Sequence, residues 1–315
     1  MPRVTRRDGR TERGAVAVVV ALLMVPVIGF AAIAIDVASM WSDRQRLQTG
    51  ADASALAIAQ DCARQNCRVP AQTASTMTTA NFDTGATASV LAPAVTPTTG
   101  QVTVKTATVN HHLFAPLLGF DATQISAGAI ARWGAPIGGA TVLPLAFSWC
   151  EWYAQTGGGV PSQTTPRMIY SSKGSKTDCT GPSNLVVPGG FGWVDPNAGD
   201  CIVNSAISQL LSSSTGASGP GGCDAVFKKR LNTVVLLPVF DKYVGTGTDA
   251  TYRVYGYVAF RLVGYDFPNV GSSVPSPGCQ KCLKGYFTQF VELDEAFSYS
   301  TTAPNLGAMV VELTG

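Results

Sequence analysis

The chain has few charged residues: 13% of its 315 residues are Asp, Glu, Lys or Arg, about half the share of a typical soluble domain. The formal net charge is +2, from 22 basic and 20 acidic residues. Five of the basic and two of the acidic residues lie in the first thirteen positions, which leaves 17 and 18 in the remainder. This near-neutral remainder offers no basic surface, so no nucleic-acid partner is expected.

The motifs of common catalytic sites are also missing. The sequence has no phosphate-cradling glycine loop, no nucleophile elbow and no HExxH helix. Its only two histidines, His111 and His112, are adjacent, so on a strand they would point to opposite faces. Asp52 and Ser54 resemble the start of a D-x-S-x-S metal-dependent adhesion motif, but Leu56 stands where serine is required. We therefore expect a binding or structural protein that is not an enzyme and holds no metal and no cofactor.

One long apolar run dominates what is present. Residues 14–35 form 22 consecutive uncharged positions, and a helix of that length extends roughly 33 Å, enough to cross a hydrocarbon core of about 30 Å. A basic flank stays on the cytoplasmic side while the chain beyond the span is exported. The flank here, residues 1–13, contains five arginines: Arg3, Arg6, Arg7, Arg10 and Arg13. The run predicts a single-pass anchor in a bacterial cell membrane, with the lipid bilayer as a partner.

The alternative is a cleaved secretory signal, with small residues Ala32 and Ala34 before a cleavage point near Ile35. A signal core usually has about 7 to 15 apolar residues, so a retained anchor fits the longer run better. Pro26 lies within the run and would remove one backbone hydrogen bond, a defect that neighbouring helices can repair.

Helix-compatible sequence continues beyond the run to about Ala63, and residues 36–70 are expected to form an extracytoplasmic helix. Apolar residues recur there at steps of three, four or seven, which is typical of one helix face. Gly50 is the weak point, at a cost of about 1 kcal/mol relative to Ala. The face consists of Met40, Leu47, Ala51, Ala55, Ile58 and Cys62. Two interpretations stay open for it: packing against another membrane-protein helix, or packing on the chain's own ectodomain.

The remainder predicts a stalk followed by a β-rich ectodomain over residues 101–315. Residues 71–100 are rich in Thr, Ala, Ser, Gly and Pro, a composition that favours a stalk or loop. Residues 101–109 and 125–132 alternate apolar and polar side chains, which indicates half-buried strands in a hairpin-like unit. Residues 138–222 look loop-rich and dependent on disulfides.

The strongest strand candidates are residues 231–240, 251–265 and 285–293, which are rich in β-branched and aromatic side chains. In the middle one, Val254, Val258, Phe260 and Leu262 are expected on one face, and Arg253, Tyr255, Tyr257 and Arg261 on a wet opposite face. One wet face favours an antiparallel sheet. The fold class is therefore α+β: a long N-terminal transmembrane helix that continues outside the membrane, then a disulfide-containing, mainly antiparallel β ectodomain.

All eight cysteines lie on the side expected to be exported, where an even count predicts four structural disulfides. Eight cysteines allow 105 pairings, and short loops favour Cys62 with Cys67 and Cys201 with Cys223. The full set is Cys62, Cys67, Cys150, Cys179, Cys201, Cys223, Cys279 and Cys282. Cys279 and Cys282 form the one C-x-x-C, which fits a redox pair, half of a zinc site or a structural disulfide. The structural interpretation is preferred, because a second pair of zinc ligands and a βαβ context are both missing.

The N-terminal segment resembles the Tad/Flp pilus-assembly family, in its TadG-like and TadE-like members. The resemblance rests on a series of short motifs within about fifty residues: Arg13-Gly14-Ala15-Val16-Ala17 through Pro26, Ile35-Asp36-Val37, Arg44-Gln45-Arg46-Leu47-Gln48 and Ala51-Asp52-Ala53-Ser54-Ala55-Leu56-Ala57. It implies a pilin-like N-terminal helix that continues outside the membrane and a role in machinery for tight-adherence pili. Two features depart from the wider group. Val19 stands where prepilins have glutamate after the cleaved glycine, and the incomplete adhesion motif lends no support to a von Willebrand A-type domain.

The leading hypothesis is therefore a non-enzymatic envelope protein that takes part in assembling or anchoring a Tad-type pilus, with other pilus-assembly or envelope proteins as partners of its N-terminal helix. A second is a tethered extracellular adhesin or ligand-binding module that uses the aromatic face at Tyr255 and Tyr257. A third is an envelope thiol oxidoreductase that uses Cys279 and Cys282.

Overall fold

The structure is a computed structural model that describes residues 10–83, 85–171, 177–196, 200–213, 219–245, 247–274, 279–292 and 296–314. The described residues leave out part of the expected cytoplasmic start: Arg3, Arg6 and Arg7, and the side chains of Arg10 and Arg13. The chain divides into two compact units. The first comprises Met1–Ser54, Ala71–Leu91 and Thr103–Ala129, and the second Ala55–Pro70, Ala92–Val102 and Ile130–Gly315. Residues 103–129, which were expected in the ectodomain, thus group with the N-terminal helix up to Ser54.

Helix α1 runs without interruption over Arg10–Ala63 and contains Pro26. Its length confirms the prediction of one helix that continues past the apolar run. Among the described residues it is the one helix long and apolar enough to cross a membrane.

Helix α2 spans Pro70–Asn81 and crosses α1 at Gly50. A Cβ atom on Gly50 would lie 3.3 Å from the Cα atom of Thr78. The hydroxyl oxygen of Ser54 is buried, 3.1 Å from the carbonyl oxygen of Ala74 and 3.2 Å from the hydroxyl oxygen of Thr78. The expectation of a stalk or loop over 71–100 is corrected here, because small and hydroxyl side chains in this segment allow close helix packing.

Three strands contribute residues to the first unit, the second of them from Thr103 onward and the third as far as Ala129. Strand β1 (Thr87–Val90) pairs antiparallel with β2 (Gln101–His111), and β2 is followed by a short 3₁₀ turn, Ala115–Leu118, and by β3 (Ala122–Thr141). Strands β2 and β3 are neighbours in the sheet, which confirms the hairpin-like unit. Strand β3 extends well beyond the predicted 125–132 because its glycines admit close neighbours: a Cβ on Gly139 would fall 2.4 Å from the ring of Phe297.

The second unit contains two larger sheets and two short helices, α3 (Trp149–Thr156) and α4 (Asp224–Arg230). Its remaining strands, in chain order, are β4 (Leu145–Ser148), β5 (Arg167–Tyr170), β6 (Cys179–Thr180), β7 (Val186–Val187), β8 (Phe191–Trp193), β9 (Val203–Ala206), β10 (Leu210–Ser212), β11 (Val234–Val244), β12 (Thr251–Phe267), β13 (Gly271–Ser272), β14 (Cys282–Thr288), β15 (Phe290–Glu292), β16 (Phe297–Ser300) and β17 (Ala308–Leu313). One sheet has the order β5-β14-β12-β11-β4-β8. In the other, β3 pairs with β17, β16 and β9, and β17 pairs with β15. Most pairs are antiparallel, as predicted, whereas β11–β4 and β15–β17 are parallel.

Strand β12 lies between two hydrophobic cores. On one side Phe260 packs with Phe147 and Phe287, in a cluster that also contains Phe227 of α4. On the other side Tyr257 packs with Phe297 of β16. A strand that is buried on both faces has a near-continuous apolar sequence. The predicted wet face of this strand is therefore wrong over its central residues.

A β-bulge explains why the apolar–polar alternation along β12 predicted the wrong facing of its side chains. Val239 of β11 lies opposite Gly256, but Phe240 lies opposite Val254, so Tyr255 has no partner. One extra residue moves every following side chain to the other face. Val254 consequently shares a core with Tyr257 instead of Val258. The predicted strand over 285–293 also divides, into β14 and β15, which belong to different sheets.

The eight cysteines lie in four pairs at disulfide distance. Cys62 pairs with Cys67 and Cys201 with Cys223, the two pairs that short loops favour. Cys150 pairs with Cys179, which places α3 beside β6, and Cys279 pairs with Cys282. No free cysteine remains.

Candidate functional site

The apolar run of α1 lies uncovered on the surface of the first unit. Its described side chains are exposed apart from Ala32, which is half-buried. Val25 and Phe30, for example, each keep about three quarters of their surface accessible. Single exposed apolar side chains are common in soluble proteins, but a continuous patch of this size marks contact with a membrane or another protein.

Asp36 ends this apolar surface and holds a loop against it. Its carboxylate is buried and accepts hydrogen bonds from the backbone N–H groups of Leu113 at 2.8 Å, Phe114 at 3.1 Å and Ala115 at 2.8 Å. Three donors converging on one carboxylate make a charge-assisted cluster that fixes the loop after β2. The sequence analysis assigned no role to Asp36. The available signal was a lone acidic residue at the end of the apolar run.

Further along α1, side-chain bonds attach the helix to strand β2. The amide nitrogen of Asn110 donates to the carboxylate of Asp43 at 2.6 Å and to the hydroxyl of Ser39 at 3.1 Å. The hydroxyl of Thr106 donates to the carbonyl oxygen of Leu47 at 3.0 Å. The side chain of Leu47 is buried with Ile125 and Ala127 of β3. The part of α1 just beyond the apolar run is thus attached to the first unit by specific contacts.

The predicted apolar face of α1 is covered by the chain itself. Five of its members are fully buried and Met40 is half-buried; the buried ones are Leu47, Ala51, Ala55, Ile58 and Cys62. Of the two interpretations left open for this face, packing on the chain's own residues is the observed one. The uncovered apolar run is the part of α1 that remains available to lipid or to other helices.

The residues considered for metal binding or acid–base chemistry are dispersed. The carboxylate of Asp52 accepts a hydrogen bond from Gln48 at 2.8 Å, while the hydroxyl of Ser54 is buried against α2. His111 is exposed on β2, and the Nε2 atom of His112 lies 2.8 Å from the hydroxyl of Thr123. Within the described ranges no cluster of three or more His, Cys, Asp or Glu side chains could hold a metal ion.

The surface proposed for the adhesin alternative is largely absent. Tyr257 is fully buried, and its hydroxyl lies 2.9 Å from the hydroxyl of Ser205. Burial raises the pKa of Tyr257 to about 12. Tyr255 is half-buried. The expectation that both tyrosines form a wet contact face is therefore corrected, because β12 is buried on both faces at this position.

Tyr299 makes the second unit sensitive to alkaline pH. Its hydroxyl donates to the carboxylate of Glu312 at 2.8 Å, and burial, followed by this bond and the charge of Glu312, raises the pKa of Tyr299 to about 12. The pKa of tyrosine in an unfolded chain is about 10, so the stability that Tyr299 contributes is complete below about pH 10 and is lost as pH rises towards 12.

We expect the free energy of unfolding to fall less between about pH 9 and pH 11 in Tyr299→Phe than in the wild type. Denaturant titrations at both pH values test this, with Tyr170→Phe at an exposed position as the control; equal losses in all three proteins would contradict it.

Comparison with known proteins gives one match, to the family described as putative Flp pilus-assembly TadE/G-like, over residues 14–61. No curated protein and no solved structure matches the chain. The matched range begins with the apolar run and ends two residues before the end of α1, so it includes the exposed apolar surface, Asp36 and the buried face as far as Ile58. Residues 14–61 of the N-terminal helix therefore carry a match to the Tad family, described as putative Flp pilus-assembly TadE/G-like.

Proposed function

We propose that this chain is a non-enzymatic, single-pass protein of the bacterial envelope that takes part in assembling or anchoring a Tad-type pilus. One observation carries the proposal: α1 is divided into an apolar half whose described side chains are exposed apart from Ala32, and an outer half whose apolar face is buried apart from the half-buried Met40. The family match to both halves supplies the pilus context. In this arrangement the apolar half anchors the protein and remains free to pack beside other helices.

Charge and redox chemistry support an exported second unit. Five arginines precede the apolar run, whereas Arg44 and Arg46 are the basic residues within about fifteen positions after it. This excess keeps the start in the cytoplasm. All four disulfides follow the run, and disulfides persist in oxidising compartments outside the cytoplasm. Trp41, which is exposed about one and a half turns after Asp36, suits the membrane–water interface.

The partners we propose are other membrane helices of the pilus machinery. In the outer half of α1 the apolar face is already buried by the chain itself. We therefore assign contacts with other membrane helices to residues 14–35. Pro26 lies within this range. Its ring removes one intrahelical hydrogen bond, and a neighbouring helix can supply the missing partner.

The test is co-purification from a bacterium that makes a Tad pilus. The full chain is compared with a matched variant in which residues 14–35 are replaced by an unrelated span of 22 Leu and Ala residues. We expect both proteins to remain in the membrane, with the C-terminal side accessible to protease from outside. Only the natural span should retain pilus-assembly proteins.

Two outcomes would overturn the proposal. Equal recovery of pilus-assembly proteins with both spans would show that the span takes no specific part in assembly. A soluble product whose N-terminus, read by mass spectrometry, lies near Ile35 would make the run a cleaved signal and leave an exported binding protein.

A further inference from the structure

The loop between β2 and β3 exposes large apolar side chains beside the apolar run of α1. Leu113 is 72% exposed, Leu117 87% and Phe120 66%. Side chains of this type rarely stand together in water at such exposure. We propose that residues 113–120, here called the interface loop, insert into the bilayer leaflet on the ectodomain side as a second, non-spanning membrane contact. The inference rests on the proposed membrane insertion of α1.

The position of the interface loop along α1 sets its depth. Phe114, Ala115 and Leu117 line an apolar groove of about 180 Å³ whose helix wall is formed by Gly29, Ala32, Ile33 and Asp36. Ile33 and Gly29 precede Asp36 by three and seven residues, which corresponds to about 5 and 10 Å along the helix axis. Apolar elements that lie in the membrane interface are buried to about 5–10 Å. The loop therefore sits at the depth where its side chains would meet the outer ends of the acyl chains.

The backbone of the interface loop is suited to an apolar medium. An unpaired backbone N–H group in hydrocarbon costs several kcal/mol. Asp36 accepts the N–H groups of the first three loop residues, and Pro116 has none. Leu117, Gly119 and Phe120 donate to carbonyl oxygens within the loop. An exposed loop in water has no need of these internal bonds, because water supplies partners for its N–H groups.

Lipid is the occupant that this geometry favours. The helix wall of the groove is part of the 14–35 surface that the anchor presents to the bilayer, so the loop and the span form one continuous apolar surface. Polar residues flank the loop on both sides: His111 and His112 precede it, and Asp121 follows it. Apolar side chains between polar flanks match an element that dips into the interface and returns.

The test uses a photo-reactive side chain, p-benzoylphenylalanine, placed singly in the full chain in bacterial membranes. The positions are Leu117 in the loop, Val25 in the middle of the span, and Thr49, which is exposed on α1 about 20 Å beyond Asp36. After irradiation, intact-mass analysis reads the adducts. We expect phospholipid adducts at Leu117 and Val25 and none above background at Thr49.

The three positions separate failure of this inference from failure of the anchor. Lipid at Val25 together with a protein adduct, or no adduct, at Leu117 would overturn the inference and leave the anchor intact; the protein adduct would assign the groove to a partner helix. An equal lipid yield at Thr49 and Leu117 would also overturn it, since the contact would not be confined to the loop. Absence of lipid at Val25 would instead refute the membrane insertion on which the inference depends.

Discussion

The double variant Leu23→Arg/Val27→Arg is expected to leave the membrane fraction almost completely. Both positions lie near the middle of the apolar run, and both side chains are more than half exposed on α1. Each arginine at a helix centre costs about 2.5–3.5 kcal/mol in membrane insertion, so the pair costs roughly 5–7 kcal/mol. Since about 1.4 kcal/mol corresponds to a tenfold change in an equilibrium constant, insertion becomes at least about a thousandfold less favourable.

The matched control exchanges the two side chains, Leu23→Val with Val27→Leu, which keeps composition and apolar surface. Carbonate-washed membranes and the soluble fraction are compared by immunoblot for wild type, exchange and arginine variant. The exchange variant should stay with the wild type in the pellet. Retention of the arginine variant in the washed pellet would show that anchoring does not depend on this run.

Helix α1 was predictable because its signals are long and repeated. Residues 14–35 are apolar at every position, and the following thirty residues keep a helix period, so local propensity and burial agree. The strands β2, β11 and β12 were predictable for the same reason. In each, β-branched and aromatic residues cluster within segments of strand length.

The missed elements are those in which small residues serve packing. Helix α2 has a stalk-like composition, but Thr78 approaches Gly50 closely and Ala74 lies against the hydroxyl of Ser54. Strand β3 was predicted too short because Gly138 and Gly139 look like breakers in isolation, whereas in the sheet they face strands β9 and β16. A glycine in the sequence does not show whether a strand ends or continues until the neighbouring strand is known.

The candidate site was predictable only in part. The apolar run and the family resemblance pointed to the anchor, but the interface loop was seen only as an apolar cluster between two strands. Its link to Asp36 joins residues 77 to 79 positions apart, and no local pattern reports such a pairing. The predicted outward aromatic face was wrong for a related reason, since one bulged residue, Tyr255, reverses the facing of the residues that follow it as far as Leu262.

The ion pair of Asp241 with Arg253 joins a buried carboxylate to an arginine that strand alternation assigned to the wet face. The side chain of Asp241 is 1% exposed and that of Arg253 38%. Nε of Arg253 donates to Asp241 Oδ1 at 3.0 Å, and Nη2 donates to Oδ2. The bond to Asp241 raises the pKa of Arg253. The buried carboxylate of Asp241 is therefore paired with the guanidinium of Arg253.

Arg253→Met is expected to destabilise the second unit by about 3 kcal/mol. Loss of one partner of a buried pair costs about 3–5 kcal/mol because the other charge stays buried and unpaired, and the partial exposure of Arg253 places the effect at the low end. At about 2–4 °C per kcal/mol for a unit of this size, the melting temperature should fall by about 6–12 °C.

The double variant Asp241→Leu/Arg253→Met should recover most of this loss, because well-packed apolar residues can replace a buried pair at little cost. Arg261→Met on the same strand is the control, since Arg261 forms no ion pair with the described residues. Thermal unfolding of the detergent-solubilised chain followed by circular dichroism compares the four proteins. If Arg253→Met melted no lower than Arg261→Met, water and backbone groups would be sufficient to stabilise the charged Asp241 carboxylate without the arginine. If the double variant melted no higher than Arg253→Met, the loss would reflect packing of the arginine stem and not the unpaired charge.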